Sequence, residues 1–425
     1  MIDWDPEIDA PAAVIVVGAG PIGIETALYA RFLGYDVQLI DHGKVAGNVL
    51  KWGHLKMFTP FHRNSTSLGL AALRAQEPDL KLPDPNAYLT GQQYANEYLV
   101  PLAKTDLIYD GVHVHSRIVS ISRVQSQKDD LSSGEERGGD EFRVLIDSKS
   151  RGPWTARADI IIDTTGSHSL PRGLAPGGGS PIEPAEADDV IKAAWLDVSG
   201  KQQDSLRGKH VLMFGSGLEA AHLAIALEQL SLTHPETKLS WVTLPDEDGK
   251  PALRGFECAA VHSPSTELNE LYSKASGLLK GTSPAVVPIA AWGIERISRV
   301  PTGALEVTLL TGFEETLARS CDLVIRANGM RPQWDFVDAL RIERCGQTDG
   351  PKGCAAITLQ SSETRQWSGT DLLTTEPHYY VLGSKSFGCR EGFLLHDGYQ
   401  QIRSLFALIG GRADLDLYQR ASFNS

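Results

Sequence analysis

Cysteine is scarce. The chain has five, Cys258, Cys321, Cys345, Cys354 and Cys389, in 425 residues, an odd number with no CxxC or CxxxxC spacing. That excludes a disulfide framework and a cysteine-based zinc site and fits thiols kept reduced, so no metal is expected. Long apolar runs are missing too: none approaches the ~20 residues that span a bilayer. Met1-Ile2-Asp3-Trp4-Asp5 has neither the basic nor the apolar stretch of a secretory leader. No membrane association is expected, and the expected location is cytoplasmic. Positive charge is in deficit, 40 Lys+Arg against 53 Asp+Glu for a net −13, which repels a phosphate backbone and argues against a nucleic-acid partner. The 12 histidines are scattered. The closest pair, His113 and His115, falls in an alternating stretch, 112–119, read as one strand with both rings on one face, which suits packing better than metal binding.

What is present is the composition of a globular protein, 42% hydrophobic and 22% charged, with 41 Gly and 23 Pro, long enough for two or three domains. The first informative stretch reads Ala13-Val-Ile-Val-Val17, Gly18-Ala-Gly20-Pro21-Ile-Gly23, a helical pattern over 24–33, then Asp36-Val-Gln-Leu-Ile40-Asp41. Strand, glycine turn, helix and strand with a terminal acid is the pattern of a dinucleotide site. Gly18 permits the tight turn, Gly20 lets the backbone approach a pyrophosphate at the helix N-terminus, and Gly23 lets helix and strand pack closely. Asp41 stands where a carboxylate accepts hydrogen bonds from a ribose.

A second copy follows about 200 residues later: His210-Val-Leu-Met-Phe214, Gly215-Ser-Gly217-Leu-Glu-Ala220, a helix over 221–230 and a strand over 239–244. Here Ala220 takes the place of the third glycine, and the second strand ends in Leu244-Pro245 with no acid immediately behind it. The absent acid leans towards NADPH, with Arg254 as the phosphate ligand if the loop 245–255 folds back. Asp246 and Glu247 keep NADH open.

Between the copies, 112–119 and 141–146 read as strands joined by the polar segment 125–140, taken as an exposed hairpin loop with nothing to bury. Ala158-Asp-Ile-Ile-Ile162 enters Asp163-Thr164-Thr165-Gly166, and Asp322-Leu-Val-Ile325 enters Ala327-Asn-Gly329. Each nucleotide unit thus closes with a strand and a small-residue turn, and 173–189 is the linker candidate.

These residues resemble the family of flavoproteins with two dinucleotide-binding domains, which includes thioredoxin-reductase-like enzymes and flavin-containing monooxygenases. The resemblance implies an α/β fold of two Rossmann-like domains, the NAD(P) domain (206–335) inserted into an FAD domain made of 11–172 and 345–425. Gly18 to Gly23 with Asp41 resembles the FAD site, which also takes in His42, Asn48, Trp52, Thr165, Gly166, Gly383 and Ser384. Gly215, Gly217, Ala220, Arg254 and Gly329 resemble the nicotinamide-nucleotide site. Tyr379-Tyr-Val-Leu-Gly383 and the helical 397–408 resemble the return of the chain to the FAD domain.

The segment Lys56-Met-Phe-Thr-Pro-Phe-His-Arg-Asn64-Ser-Thr is similar to the monooxygenase branch, where an Asn-Thr/Ser turn lies beside the flavin, and Asn64 matches it. A loop Asn closing an Asx-turn reads the same residue equally well. Two features depart from the branch: no FxGxxxHxxx(Y/F) lies between Gly166 and His210, and the Gly-Asp pair that holds the ribityl chain is Gly383-Ser384. For chemistry near the flavin the resemblance implies His54, Asn64 and Lys385. Trp52, Phe58, Pro60 and Phe61 would either wall a water-poor pocket or pack as core. With no suitably spaced cysteine pair for disulfide exchange, the expected function is FAD-dependent, NAD(P)H-using oxidation of a small molecule, with monooxygenation leading. Reduction without oxygen insertion is the alternative, and flavin or nucleotide binding with little catalysis a third. A homodimer is also open.

Overall fold

The computed structural model describes residues 2–255, 266–360 and 365–420; Cys258 lies outside them. The chain forms two compact units, Met1–Ser169 with Pro332–Ser425, and Leu170–Arg331.

In the first unit five parallel strands line up in the order Tyr379–Val381, Ile160–Asp163, Ala13–Val17, Asp36–Ile40 and Val112–His113. The strand drawn from the far end of the sequence sits at one edge, so both ends of the chain build this sheet. The strands are near-continuous apolar runs because both faces are covered. Val14, Val16, Ile160 and Ile162 face a core shared with the helices Pro21–Phe32 and Leu395–Ile409. Ile15, Val17 and Ile161 face a second core with Ile121, Phe142, Val144 and Ile146 of an antiparallel sheet, Ser116–Arg123, Phe142–Ser148 and Gly152–Ala158. The two helices pack tightly: a Cβ on Gly398 would lie 2.3 Å from Ile22 Cδ1, and the Tyr29 and Phe406 rings stack at 5.1 Å.

The second unit repeats the plan. Its parallel sheet runs Val286–Ala290, Lys238–Thr243, His210–Phe214, Leu323–Arg326 and Ile191–Ala193, and it carries an antiparallel sheet, Gly293–Arg299, Leu305–Leu310 and Thr316–Cys321. The segment 173–189 read as a linker belongs to this unit. Gly173 is pressed against the Gly179 carbonyl, only 1.9 Å from where its Cβ would be, and the next strand joins the sheet edge.

Two local expectations are corrected. His113 and His115 do not share a strand face: the strand stops at His113, and His115 has a positive φ of 51° as its N–H donates to the Gly43 carbonyl at 2.7 Å. The His113 ring instead packs edge-on against Trp154. The polar segment 125–140 is no loose hairpin. It contains the helix Gly134–Gly138, and Arg137 is buried with its guanidinium on Glu376 Oε2 at 2.9 Å. The Arg341 guanidinium donates to the carbonyls of Lys128 at 2.8 Å and Ser132 at 2.9 Å. Charge-assisted bonds from three arginines, Arg123 on Glu376 being the third, order a segment that has no apolar face.

Candidate functional site

In an open parallel sheet the ligand crevice lies beyond the carboxyl ends of the strands, where the order reverses about the first strand. In the first unit the turns at those ends converge. Gly18, φ +103°, follows Ala13–Val17, and a Cβ there would lie 2.9 Å from the Thr164 carbonyl oxygen. Gly23 is more constrained still: its Cβ would fall 1.7 Å from the Gly18 carbonyl oxygen and 2.5 Å from Thr164 Oγ1. Gly20 differs from both. It precedes Pro21 at the start of the helix, and a Cβ there would meet nothing within 4 Å. The motif thus has two glycines locked by the fold and one facing open space at a helix N-terminus, a cradle that suits a phosphate.

Asp41 closes one side of the cradle. Its half-buried carboxylate accepts the Ala19 N–H and the Gly43 N–H, each at 2.7 Å. Those bonds fix its position at the end of Asp36–Ile40 and leave lone pairs for a ribose hydroxyl. His42 beside it is exposed, its Nδ1 3.5 Å from Asp41. Asn48 lies half-buried in the short helix Gly47–Lys51. Trp52 follows, packed over Gly91, where a Cβ would lie 2.6 Å from the indole.

On the other side two sequence-distant turns meet. Thr165 donates its N–H and its hydroxyl to Asp163 Oδ1 at 3.0 and 2.7 Å. Gly166, φ +74°, brings the chain round so that the Ser167 N–H donates to Ser384 Oγ at 3.2 Å. Gly383, also at φ +74°, donates its N–H to Gln401 Oε1 at 2.8 Å and rests on Ile22. Gly18, Gly23, Gly166, Gly383 and Ser384 therefore gather in one frame at the carboxyl ends of the strands. Sequence reading missed His168, which adjoins this frame with Nδ1 3.8 Å from the position of a Gly166 Cβ. Burial, aided by Lys51, pulls its pKa down to about 4, so it is neutral at pH 7.

The three residues named for chemistry are placed differently from one another. His54 is exposed. Asn64 is buried, and its side chain is engaged locally: Thr59 Oγ1 donates to its Oδ1 at 2.7 Å, and its Nδ2 donates to the carbonyls of Thr59 at 2.9 Å and Pro60 at 3.2 Å. Its own carbonyl accepts the hydroxyls of Tyr94 and Tyr399, each at 2.7 Å. Lys385 is fully buried, its ammonium donating to Asp163 Oδ2 and to the Gln333 carbonyl, both at 2.6 Å, with the Trp334 and Phe336 rings 4.1 and 4.6 Å away. Burial pulls its pKa down against the pull of Asp163. Its charge is spent inside the fold rather than offered to a ligand. Phe61, 2% exposed and edge-on to Tyr98, is core and not pocket wall.

In the second unit the corresponding turns also meet. A Cβ on Gly215 would fall 1.9 Å from the Ala327 carbonyl oxygen, and buried Trp241 donates its indole N–H to the Gly215 carbonyl at 2.9 Å. Gly217 precedes the helix Leu218–Thr233, with Ala220 wholly buried beneath it. Gly329, φ +87°, stands beside Arg172, whose N–H donates to the Gly329 carbonyl at 3.1 Å. The loop 245–255 does fold back: Pro245 pairs with Pro251, and the Arg254 N–H donates to the Ser216 carbonyl at 2.9 Å. This sets exposed Arg254 beside the glycine turn, its Nη2 donating to the Pro245 carbonyl at 3.0 Å. Asp246 is engaged in its own turn, accepting from Asp248 N and Lys250 N.

Among the described residues no helix is long and apolar enough to cross a membrane, no group of three or more His, Cys, Asp or Glu stands ready for a metal, and none of the four described cysteines is in a disulfide.

No protein-family model matches the sequence, and no curated protein aligns with it. Solved structures do match. The bacillithiol disulfide reductase Bdr (YpdA) of Bacillus cereus superposes with a TM-score of 0.65 at 14% identity, over 94% of this chain and 99% of that one. DfoA, the FAD-bound cadaverine monooxygenase of desferrioxamine biosynthesis from Erwinia amylovora, gives 0.62 at 15% identity over 94% of each chain. Thioredoxin reductase of T. acidophilum gives 0.53 at 15% identity, over 93% of this chain and 97% of that one. With its two parallel-sheet units, each closed by a glycine turn, the chain has the two-domain Rossmann-type fold of FAD/NAD(P) flavoproteins, a fold that serves reductases and monooxygenases alike.

Proposed function

We propose that this chain is an FAD-dependent, NAD(P)H-using oxidoreductase acting on a small molecule. The observation that carries the reading is the contrast within the first glycine motif, where Gly18 and Gly23 are held by van der Waals contact and Gly20 alone opens on empty space before a helix N-terminus. FAD would lie with its pyrophosphate at Gly20 and its adenosine ribose on Asp41, and its ribityl chain towards Gly383 and Ser384. The bound flavin supplies hydride acceptance from the nicotinamide. The chain's own part is to fix the dinucleotide, and His168 beside the crevice is neutral at pH 7 and adds no charge there. Gly215, Gly217, Ala220, Gly329 and Arg254 would hold NADPH.

Monooxygenation is the finer reading, supported by the likeness of the Asn64 segment to that branch and by the lack of a suitably spaced cysteine pair. Reduction without oxygen insertion is the second reading. It is favoured by the engagement of Asn64 with Thr59 and Pro60, which leaves its amide little freedom to serve a ligand. The deciding experiment begins with flavin content after purification or reconstitution: a chain that takes up no FAD ends both readings. With FAD bound, oxygen consumed, hydrogen peroxide released and oxygenated product formed are counted per NADPH across a panel of small amines, thiols and ketones. One product per NADPH marks a monooxygenase. NADPH oxidation that transfers electrons to an acceptor without oxygenated product marks a reductase.

A further inference from the structure

We propose that Glu25 couples proton binding to FAD binding, so that its protonated carboxyl favours the dinucleotide and its carboxylate opposes it. This rests on the FAD reading above and adds a regulation to that site.

Glu25 is out of place by composition. It lies in the helix Pro21–Phe32, where every residue from Ile22 to Ala30 is buried, and it is itself 2% exposed. It stands five residues past Gly20, about 7.5 Å along the axis at the helical rise of 1.5 Å per residue. The mechanism of the first motif gives it no role. Thr66 Oγ1 donates to Glu25 Oε1 at 2.7 Å, and the same hydroxyl accepts the Gly69 N–H at 2.9 Å, capping the helix Ser67–Gln76.

The groups around Glu25 are phenols. Tyr94 and Tyr98 approach from one side, Tyr399 from the helix Leu395–Ile409 and Tyr418 from the C-terminal turn, each with its pKa raised by burial. His396, Arg403 and Asp416 line a cavity of about 300 Å³ beside Tyr399 and Tyr418, and Arg403 is already paired with Asp416 at 3.3 Å. No salt bridge to Glu25 occurs among the described residues. Burial pushes its carboxyl up to about 7, against smaller opposing effects of the Thr66 and Tyr418 hydroxyls. Titration thus falls in the physiological range, within one helix of the place where a doubly charged pyrophosphate would bind.

A buried carboxylate and a phosphate at that spacing repel through protein rather than water, while Thr66, Tyr399 and Tyr418, which line the neighbouring cavity, lie between Glu25 and solvent protons. Reciprocity requires that FAD raise the carboxyl's affinity for its proton by the factor by which the proton raises affinity for FAD. A shift of about one pKa unit, modest for charges about 10 Å apart, corresponds to a tenfold coupling.

The test is FAD affinity of the reconstituted chain, read by flavin fluorescence, from pH 6 to pH 9 in wild type and Glu25→Gln. For a tenfold coupling the wild-type Kd should rise about fivefold between pH 6 and 8 and approach tenfold by pH 9, while E25Q stays near the acid-side value throughout. Calorimetry in two buffers of different ionisation heat gives a second readout that needs no variant: wild type should take up protons on binding FAD near pH 7.5. Matching pH profiles in the two proteins, or binding without proton uptake, overturns the coupling and leaves the FAD reading intact. Failure to bind FAD at any pH overturns both.

Discussion

Asp163 and Lys385, 222 residues apart, form a fully buried ion pair with Nζ 2.6 Å from Oδ2. The pair ties down the carboxyl end of the strand Ile160–Asp163 and the return segment at once, since Thr165 bonds to the same carboxylate and Gln333 to the same ammonium. Tyr379 adds its hydroxyl to Asp163 Oδ2 at 2.6 Å. Removing one partner leaves a charge buried without compensation, which typically costs 3–5 kcal/mol. Asp163→Asn should therefore lower the unfolding free energy by about 3–5 kcal/mol, and the double change with Lys385→Met should recover part of the loss. Denaturant titration of the three proteins checks this. A single variant as stable as wild type would mean the pair is not structural.

The two kinds of glycine in the first motif should separate experimentally. Gly23→Ala forces a Cβ to within 1.7 Å of the Gly18 carbonyl oxygen, so helix or strand must move. It should destabilise the FAD-free chain by about 1–3 kcal/mol. Gly20→Ala meets nothing and should change stability by no more than about 1 kcal/mol, the cost of alanine at an N-cap. Its defect should appear in FAD binding, at least tenfold weaker. Thermal melts of the apo chains and FAD titrations distinguish the two, and equal behaviour in both assays would contradict the geometry.

Much of this was legible in the sequence for definite reasons. Ala13–Val17 and Ile160–Asp163 are covered on both faces and so read as apolar runs, and the glycines at 18 and 23 reflect contacts that a Cβ would forbid, while Gly20 between them faces open space. Long-range charge pairing was not legible. Lys385 reads as a cation for the flavin because nothing local announces Asp163. The segment 125–140 reads as loose because its order comes from Arg341 and Glu376, more than 200 residues away. Glu25 escaped notice because a lone acid in a helix is usually exposed, and only the fold covers it on every side.

His378 gives a pH-dependent prediction. It is 4% exposed, has a positive φ of 57°, and lies edge-on to Trp4 at 4.9 Å. Burial, with Arg123 adding and Asp5 opposing, pulls its pKa down from 6.5 to about 4. As pH falls below 6.5 the unfolded chain binds this proton first, so the stability present above 6.5 is lost as pH drops towards 4, by about 3 kcal/mol. His378→Asn removes the titration and tolerates the left-handed backbone. Unfolding free energies at pH 6.5 and 4 should therefore differ by about 3 kcal/mol less in the variant, whatever it loses in ring contact. An unchanged difference would show that His378 is not the group responsible.

Arg254 decides nucleotide choice if the second unit binds its dinucleotide as its turns suggest. The loop 245–255 brings it beside Ser216 through a backbone bond, and that bond is independent of the side chain, so truncation should leave the loop in place. The guanidinium spends one donor on the Pro245 carbonyl and, being exposed, keeps others for a 2′-phosphate. Asp246, which would bind a 2′-hydroxyl and repel that phosphate, is occupied by the N–H groups of Asp248 and Lys250. NADPH should thus be preferred. In Arg254→Ala, loss of a charge-assisted bond of about 1.5–3 kcal/mol should lower kcat/KM for NADPH roughly 10–150-fold and leave that for NADH within about twofold. Stopped-flow reduction with each nucleotide measures the ratio. A wild-type preference for NADH would transfer the role to Asp246 or Glu247, and an unchanged ratio in the variant would remove Arg254 from the site.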